Sequence, residues 1–170
     1  MKRFRSIYLI GLMGAGKTTI GRQLARALEY PFYDSDKAIE DKTGVDIATI
    51  FEFEGESGFR DREQKMMQEL TEIEGIVLAT GGGVILREEN RLALNNGFVV
   101  YLQCSVDKIL ERTRKDSKRP LLVSDNPKQR VEDLLEQREA FYLSSSDFQV
   151  DTGSQSSKTV VQEILTAFQK

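Results

Sequence analysis

The chain has 170 residues and a formal charge of −3, long enough for one domain that buries ~70% of its extended-chain surface and without bulk attraction for nucleic acid or anionic lipid. It contains no histidine, which excludes histidine bases, triads and metal ligands. Its single cysteine, Cys104, excludes an internal disulfide or a multi-cysteine metal cluster and suits a cytoplasmic setting.

The first element is a short apolar run from Ser6 to Ile10, followed by Gly11 and then by Ile20, Leu24 and Leu28 at helical spacing. That order predicts strand, glycine loop, helix. The loop itself, Gly11-Leu12-Met13-Gly14-Ala15-Gly16-Lys17-Thr18, matches G-x-x-x-x-G-K-[ST]. Glycines there let the backbone N–H groups from Gly14, Ala15 and Gly16 through Thr19 curl around phosphate oxygens at a helix N-terminus, whose partial positive charge adds to the attraction. Lys17 is the expected contact to the terminal phosphates, and the Thr18 hydroxyl the expected magnesium ligand. A nucleoside triphosphate site follows.

Phe32-Tyr33 reads as a second strand, and Asp34-Ser35-Asp36 follows it. On a continuing strand, Asp34 and Asp36 leave the same face. Two readings stand: a polar strand exit in which Asp36 caps the next helix, or a pair of working carboxylates. Asp41-Lys42-Thr43-Gly44 matches D-x-x-G, but it follows a helical stretch and reads as chance. No [NT]-K-x-D guanine signature and no Asp-Glu pair ending an apolar strand occur in the chain. GTPase switches and motor ATPases are thereby disfavoured, and a small-molecule phosphotransferase leads.

A long helix is expected from Glu56 to about Ile73, with Met66, Met67, Leu70 and Ile73 as its apolar stripe. Arg60 and Glu63 fall near that stripe, three residues apart and able to pair. Ile76-Val77-Leu78-Ala79 is a third strand, ending in Thr80-Gly81-Gly82-Gly83, where glycines at a strand's carboxyl end allow a ligand close to the backbone. Phe98 to Leu102 is a fourth strand. The polar, basic segment 113–127 breaks the pattern and reads as a lid over the phosphates, with Arg119 supplying charge to the transferring group. In the helix from about Lys128 to Leu143, Val131, Leu134, Leu135, Phe141 and Tyr142 face inward, and Arg138 lies on the same stripe. An arginine there either snorkels outward along its stem or is held against an anion, since an unpaired buried guanidinium is costly. Phe148-Gln149-Val150 closes the series. Strands alternating with helices indicate an α/β fold with a mostly parallel sheet covered on both faces. Two inward arginines, a glycine floor and a spare aspartate describe a pocket for a small hydroxylated carboxylic acid.

With these residues in this order, the chain resembles the shikimate kinases, in the nucleoside monophosphate kinase-like branch of P-loop proteins, over essentially its whole length. The resemblance rests on the glycine loop, Asp34-Ser35-Asp36 with Ile39-Glu40, Phe59-Arg60 with Glu63, Gly81-Gly82-Gly83, Arg119-Pro120-Leu121 and Arg138 within Glu136-Gln137-Arg138. It implies a single three-layer P-loop domain over residues 1–170, a five-stranded parallel sheet of order 2-3-1-4-5, a mobile lid at about 112–126 and an acceptor-binding segment at about 34–62. It further implies ATP- and Mg²⁺-dependent phosphorylation of the 3-hydroxyl of shikimate, on the route to chorismate and the aromatic amino acids, by a monomer without nucleic-acid or membrane partners. By resemblance, Asp36 binds the acceptor hydroxyls and acts as base. Arg60 and Arg138 hold its carboxylate, Gly82 touches its ring, and Asp34 joins Thr18 at magnesium. Arg119 reaches the phosphates from the lid, while Arg112 and Gln155 contact the adenine. The alternatives are a kinase for gluconate or a nucleotide, and a nucleotide-binding regulatory module without turnover.

Overall fold

The computed structural model describes residues 5–114 and 125–170. Five short strands form one parallel sheet in the order β2-β3-β1-β4-β5. They are β1 (Ile7–Ile10), β2 (Phe32–Asp34), β3 (Val77–Ala79), β4 (Phe98–Gln103) and β5 (Phe148–Asp151). Seven helices are described with them: α1 (Lys17–Leu28), α2 (Ser35–Thr43), α3 (Ile47–Thr71), α4 (Glu88–Ala93), α5 (Val106–Thr113), α6 (Pro127–Ser145) and α7 (Ser157–Phe168).

Because side chains alternate along a strand, β1 supplies both layers of the core. Tyr8 and Ile10 face the apolar side chains of α3 and α6, including Met67, Leu70, Val131 and Leu134. Ile7 and Leu9 face α1 and α7 through Ile20, Leu24, Val160 and Ile164. Both faces of the sheet are covered, as the near-continuous apolar strands require. The sheet order and the three layers agree with the expectation from sequence. The lid, with Arg119, lies outside the described residues apart from its flanks. No helix among the described residues is long and apolar enough to cross a membrane.

The acceptor segment departs from the simple reading in one respect. Helix α3 starts at Ile47, well before Glu56, and is broken at Gly55, whose φ of 71° and ψ of −179° are not helical. Only glycine takes that conformation without strain. The second half therefore begins where expected, but it ends at Thr71, leaving Ile73 substantially exposed rather than in the stripe. Across the break, Arg62 donates to both oxygens of Glu54 at 2.7 and 2.6 Å, and the Phe51 and Phe59 rings meet at 4.9 Å between centroids. The two halves are thus held at a defined angle beneath the site.

The far layer supports the fold and lies away from that segment. Ile164 is fully buried in α7, so Ile164→Ala should cost about 2–5 kcal/mol by transfer and cavity terms. A thermal melt should show the loss as a drop on the order of 5–15 °C, while activity per folded molecule at 25 °C stays near that of the parent.

Candidate active site

All the candidate side chains within the described residues gather at the carboxyl edge of the sheet, where open α/β folds bind ligands. The glycine loop leaves β1 there and enters α1. Gly16 takes φ 100° at the helix start and offers no side-chain cap, so the first N–H groups of α1 are served by whatever acceptor sits in the loop. Lys17 lies back along the loop, its Nζ donating to the Gly11 carbonyl and to the Leu12 carbonyl at 3.0 Å. The Thr18 hydroxyl donates to Asp34 Oδ2 at 3.1 Å, which places both expected magnesium ligands side by side.

The pair of aspartates is arranged differently from a continuing strand. Strand β2 ends at Asp34, and Ser35 opens α2, so Asp36 stands in the first helical turn and the same-face rule no longer applies. The cap is Asp34 rather than Asp36. Its extended backbone aims Oδ1 at the amides of Asp36 (3.0 Å) and Lys37 (3.2 Å), which is where an Ncap carboxylate reaches. Asp36 is left to face the pocket. Its Oδ1 is shielded from solvent and makes no hydrogen bond, and its pKa is pushed up to about 7. Burial is the main cause, the negative charges of Glu63 and Asp34 add to it, and Lys17 and Arg60 oppose it.

The Gly81–Gly83 segment is the floor on which the charged side chains meet. Ser35 Oγ accepts from the Gly81 amide at 3.0 Å, fixing the floor to the start of α2. A methyl group on Gly81 would lie 2.9 Å from both Asp36 Oδ1 and Glu63 Oε2; on Gly82, 3.4 Å from Arg138 Nη1; and on Gly83 it would overlap the Arg60 guanidinium. Three ionic side chains and the candidate base therefore approach the backbone only because the floor lacks Cβ atoms.

Arg60 and Glu63 pair as their spacing predicted, with Arg60 Nη1 donating to Glu63 Oε1 at 2.9 Å. Glu56 accepts from Nη2 at 3.4 Å. Glu63 is fully buried, and burial raises its pKa against the pull of Arg60. Arg138 is 2% exposed, and its Nε and Nη1 have no partner. Desolvation lowers its pKa, partly offset by the neighbouring Tyr142 hydroxyl.

On the nucleotide side, Arg112 donates to the Gly14 carbonyl at 3.0 Å and to the Thr152 carbonyl at 2.8 Å, so it borders the glycine loop. Gln155 lies in the loop after β5, with Nε2 donating to the Asp151 carbonyl at 2.9 Å. Thr152 was missed by sequence reasoning. It is buried, and its hydroxyl donates to the Ala15 carbonyl at 2.7 Å, bracing the glycine loop. Its position just beyond the last strand was the one available signal. Tyr142, on the inward apolar stripe of α6, also reaches the site by donating to the Gly82 carbonyl.

A triphosphate loop on the central strand, with carboxylates and buried arginines around a glycine floor beside it, defines a P-loop kinase for a small acidic acceptor. The family model described as shikimate kinase matches residues 13–169. Shikimate kinase from Methylococcus capsulatus is 56% identical over 171 aligned positions, spanning 100% of this chain and 96% of the relative. Among solved structures, shikimate kinase from Acinetobacter baumannii in complex with shikimate superposes with a TM-score of 0.95 at 46% identity, covering 98% of this chain and 93% of that one. Shikimate kinase from Aquifex aeolicus gives a TM-score of 0.83 at 37% identity, with 96% of each chain covered. The chain belongs to the shikimate kinase family, and it is an ATP-using kinase.

Two outcomes test the geometry. Gly83→Ala should displace the pinned Arg60 and raise the KM for the acceptor about tenfold or more, measured at saturating ATP. The second concerns Asp36, which holds its proton more tightly in the folded chain. Its contribution to stability is fully present below the ordinary carboxylate pKa and is lost as pH rises through about 7. Asp36→Asn should therefore gain on the parent by roughly 1–3 kcal/mol between pH 5 and pH 8 in chemical denaturation.

Proposed function

We propose that the chain transfers the γ-phosphoryl group of ATP to the 3-hydroxyl of shikimate, giving shikimate 3-phosphate for the route to chorismate, and that it does so with the residues gathered on the glycine floor. The observation that carries the assignment of roles is the buried guanidinium of Arg138, with two unpartnered N–H-bearing atoms, beside Gly82, while the unpartnered Oδ1 of Asp36 lies beside the adjoining Gly81. A buried cation and a buried base on one floor suit an acceptor with a carboxylate at one end and hydroxyls at the other.

In this reading, Asp36 accepts the hydrogen bond and then the proton of the attacking hydroxyl. A pKa near 7 makes it a stronger base than an ordinary carboxylate while keeping much of it ionised at neutral pH. Arg138 and Arg60 hold the carboxylate, and Gly82 meets the ring. Gly14 to Thr19 and Lys17 hold the phosphates in line with the acceptor, so that positioning supplies most of the acceleration. Arg112 and Gln155 border the adenine, and Arg119 adds charge from the lid.

Thr18 and Asp34 fit Mg²⁺: a hydroxyl and a carboxylate oxygen lie 3.1 Å apart at the loop, both of the hard oxygen type that Mg²⁺ takes beside phosphate. Among the described residues no three acidic or sulfur ligands converge, which suits a metal shared with the nucleotide. When bound, the metal supplies neutralisation of phosphate charge. The same reading makes the enzyme a cytoplasmic monomer, a setting that suits its single thiol.

Three variants separate the roles. Asp36→Asn should depress kcat by about 10²-fold or more, and unchanged turnover would remove Asp36 as base. Arg60→Ala and Arg138→Ala should mainly raise the KM for the acceptor, by the equivalent of about 2–5 kcal/mol for a broken buried charge pair. ADP release measured side by side with shikimate, gluconate and nucleoside monophosphates tests the substrate. Release with gluconate or a nucleotide alone would transfer the assignment to another kinase of this branch, and release with none would favour a regulatory module.

A further inference from the structure

The two arginines of the acceptor site are held in different ways. Arg60 is held by charge, donating to Glu63 and to Glu56. Arg138 forms no ion pair among the described residues, and its near neighbour is the neutral hydroxyl of Tyr142, four residues on along α6.

A phenol hydroxyl has one proton and lone pairs to share. The Gly82 carbonyl can only accept, so the proton points there. Arg138 comes to the same glycine, its Nη1 3.4 Å from where a Gly82 Cβ would lie, and a guanidinium can only donate, so what it meets on the hydroxyl is the lone-pair side. The direction of the Gly82 bond is therefore forced, and the lone pairs are left on the side open to Arg138. The Tyr142 ring is itself immobilised: it is fully buried and stacked on Tyr101 with centroids 5.0 Å apart and planes 20° from parallel.

We propose that Tyr142 is a positioning residue for the acceptor, spanning the Gly82 carbonyl and Arg138 so that the Nε and Nη1 atoms of the guanidinium are presented to the acceptor's carboxylate. The inference rests on the reading of Arg138 as a carboxylate binder. The choice of a phenol has a physical reason. A carboxylate at this position would orient Arg138 equally well, but it would neutralise the guanidinium and compete with the incoming anion. A neutral hydroxyl orients the group and leaves its charge for the ligand. By this argument Arg138 carries more of the recognition of charge than Arg60, whose charge is already matched by Glu63.

The test is steady-state kinetics on Tyr142→Phe, with Tyr8→Phe as a control. Tyr8 is also buried, and its hydroxyl also donates to a carbonyl, that of Thr71 at 3.3 Å, in the core. Tyr142→Phe should raise the KM for shikimate about tenfold, with kcat and the KM for ATP within about twofold of the parent. Tyr8→Phe should leave all three within about twofold. With shikimate methyl ester, which lacks the anionic carboxylate, parent and Tyr142→Phe should show the same kcat/KM. An unchanged KM for shikimate in Tyr142→Phe, or an equal loss with the ester, overturns the proposal. Arg138→Gln, assayed alongside, separates the two layers of the argument. If it leaves the KM for shikimate unchanged, the carboxylate reading fails. If it raises that KM and Tyr142→Phe does not, only the role of Tyr142 fails.

Discussion

Two guanidinium groups and a carboxylate lie almost out of reach of water around three consecutive glycines, and the geometry of the site follows from what that demands. Arg60, Glu63 and Arg138 are 6, 0 and 2% exposed. Each such ion costs several kcal/mol to desolvate unless matched. Arg60 and Glu63 match each other at 2.9 Å. Arg138 and Asp36 do not find such a match among the described residues, and they lie beside adjoining glycines of the same floor. The fold therefore carries an electrostatic deficit of both signs in one small space. A ligand that brings a negative group to Arg138 and a hydroxyl proton to Asp36 relieves both at once.

The parallel sheet is what makes the convergence possible. Its carboxyl edge brings together chain segments that are far apart in sequence: the glycine loop after β1, Asp34 at the end of β2, the glycine floor after β3 and Thr152 after β5. Small polar side chains then tie these segments to one another, with Ser35 holding Gly81, Thr80 donating to the Leu9 carbonyl at 2.8 Å, and Thr152 holding Ala15. None of these ties carries charge. They position the loops without altering the field in which the ionic residues work.

Much of this was legible in the chain because the physics was local. Each strand is a short apolar run, and the glycine loop has a spacing that chance reproduces poorly. Arg60 and Glu63 pair within one helical turn, so i,i+3 spacing was enough to see them. What escaped depended on partners distant in sequence. Nothing near Thr152 announces that its hydroxyl meets a carbonyl 137 residues away, and nothing in the stripe of α6 separates Tyr142, which meets Gly82, from Val131, which only fills the core. The two aspartates show a third kind of limit. Alternation predicts their directions only while the strand lasts, and the strand stops at Asp34 because its carboxylate finds the amides ahead of it and starts a helix.

That capping carboxylate has a mechanical consequence. One oxygen of Asp34 takes the hydroxyl of Thr18, and the other anchors the first amides of α2, including the amide of Asp36 itself. The lever from one oxygen to the other is a single rigid group about 2.2 Å across. Asp34 therefore joins Thr18, at the head of α1, to the helix turn that bears Asp36. One side chain thus ties the start of the helix that follows the glycine loop to the start of the helix that carries the half-buried Asp36.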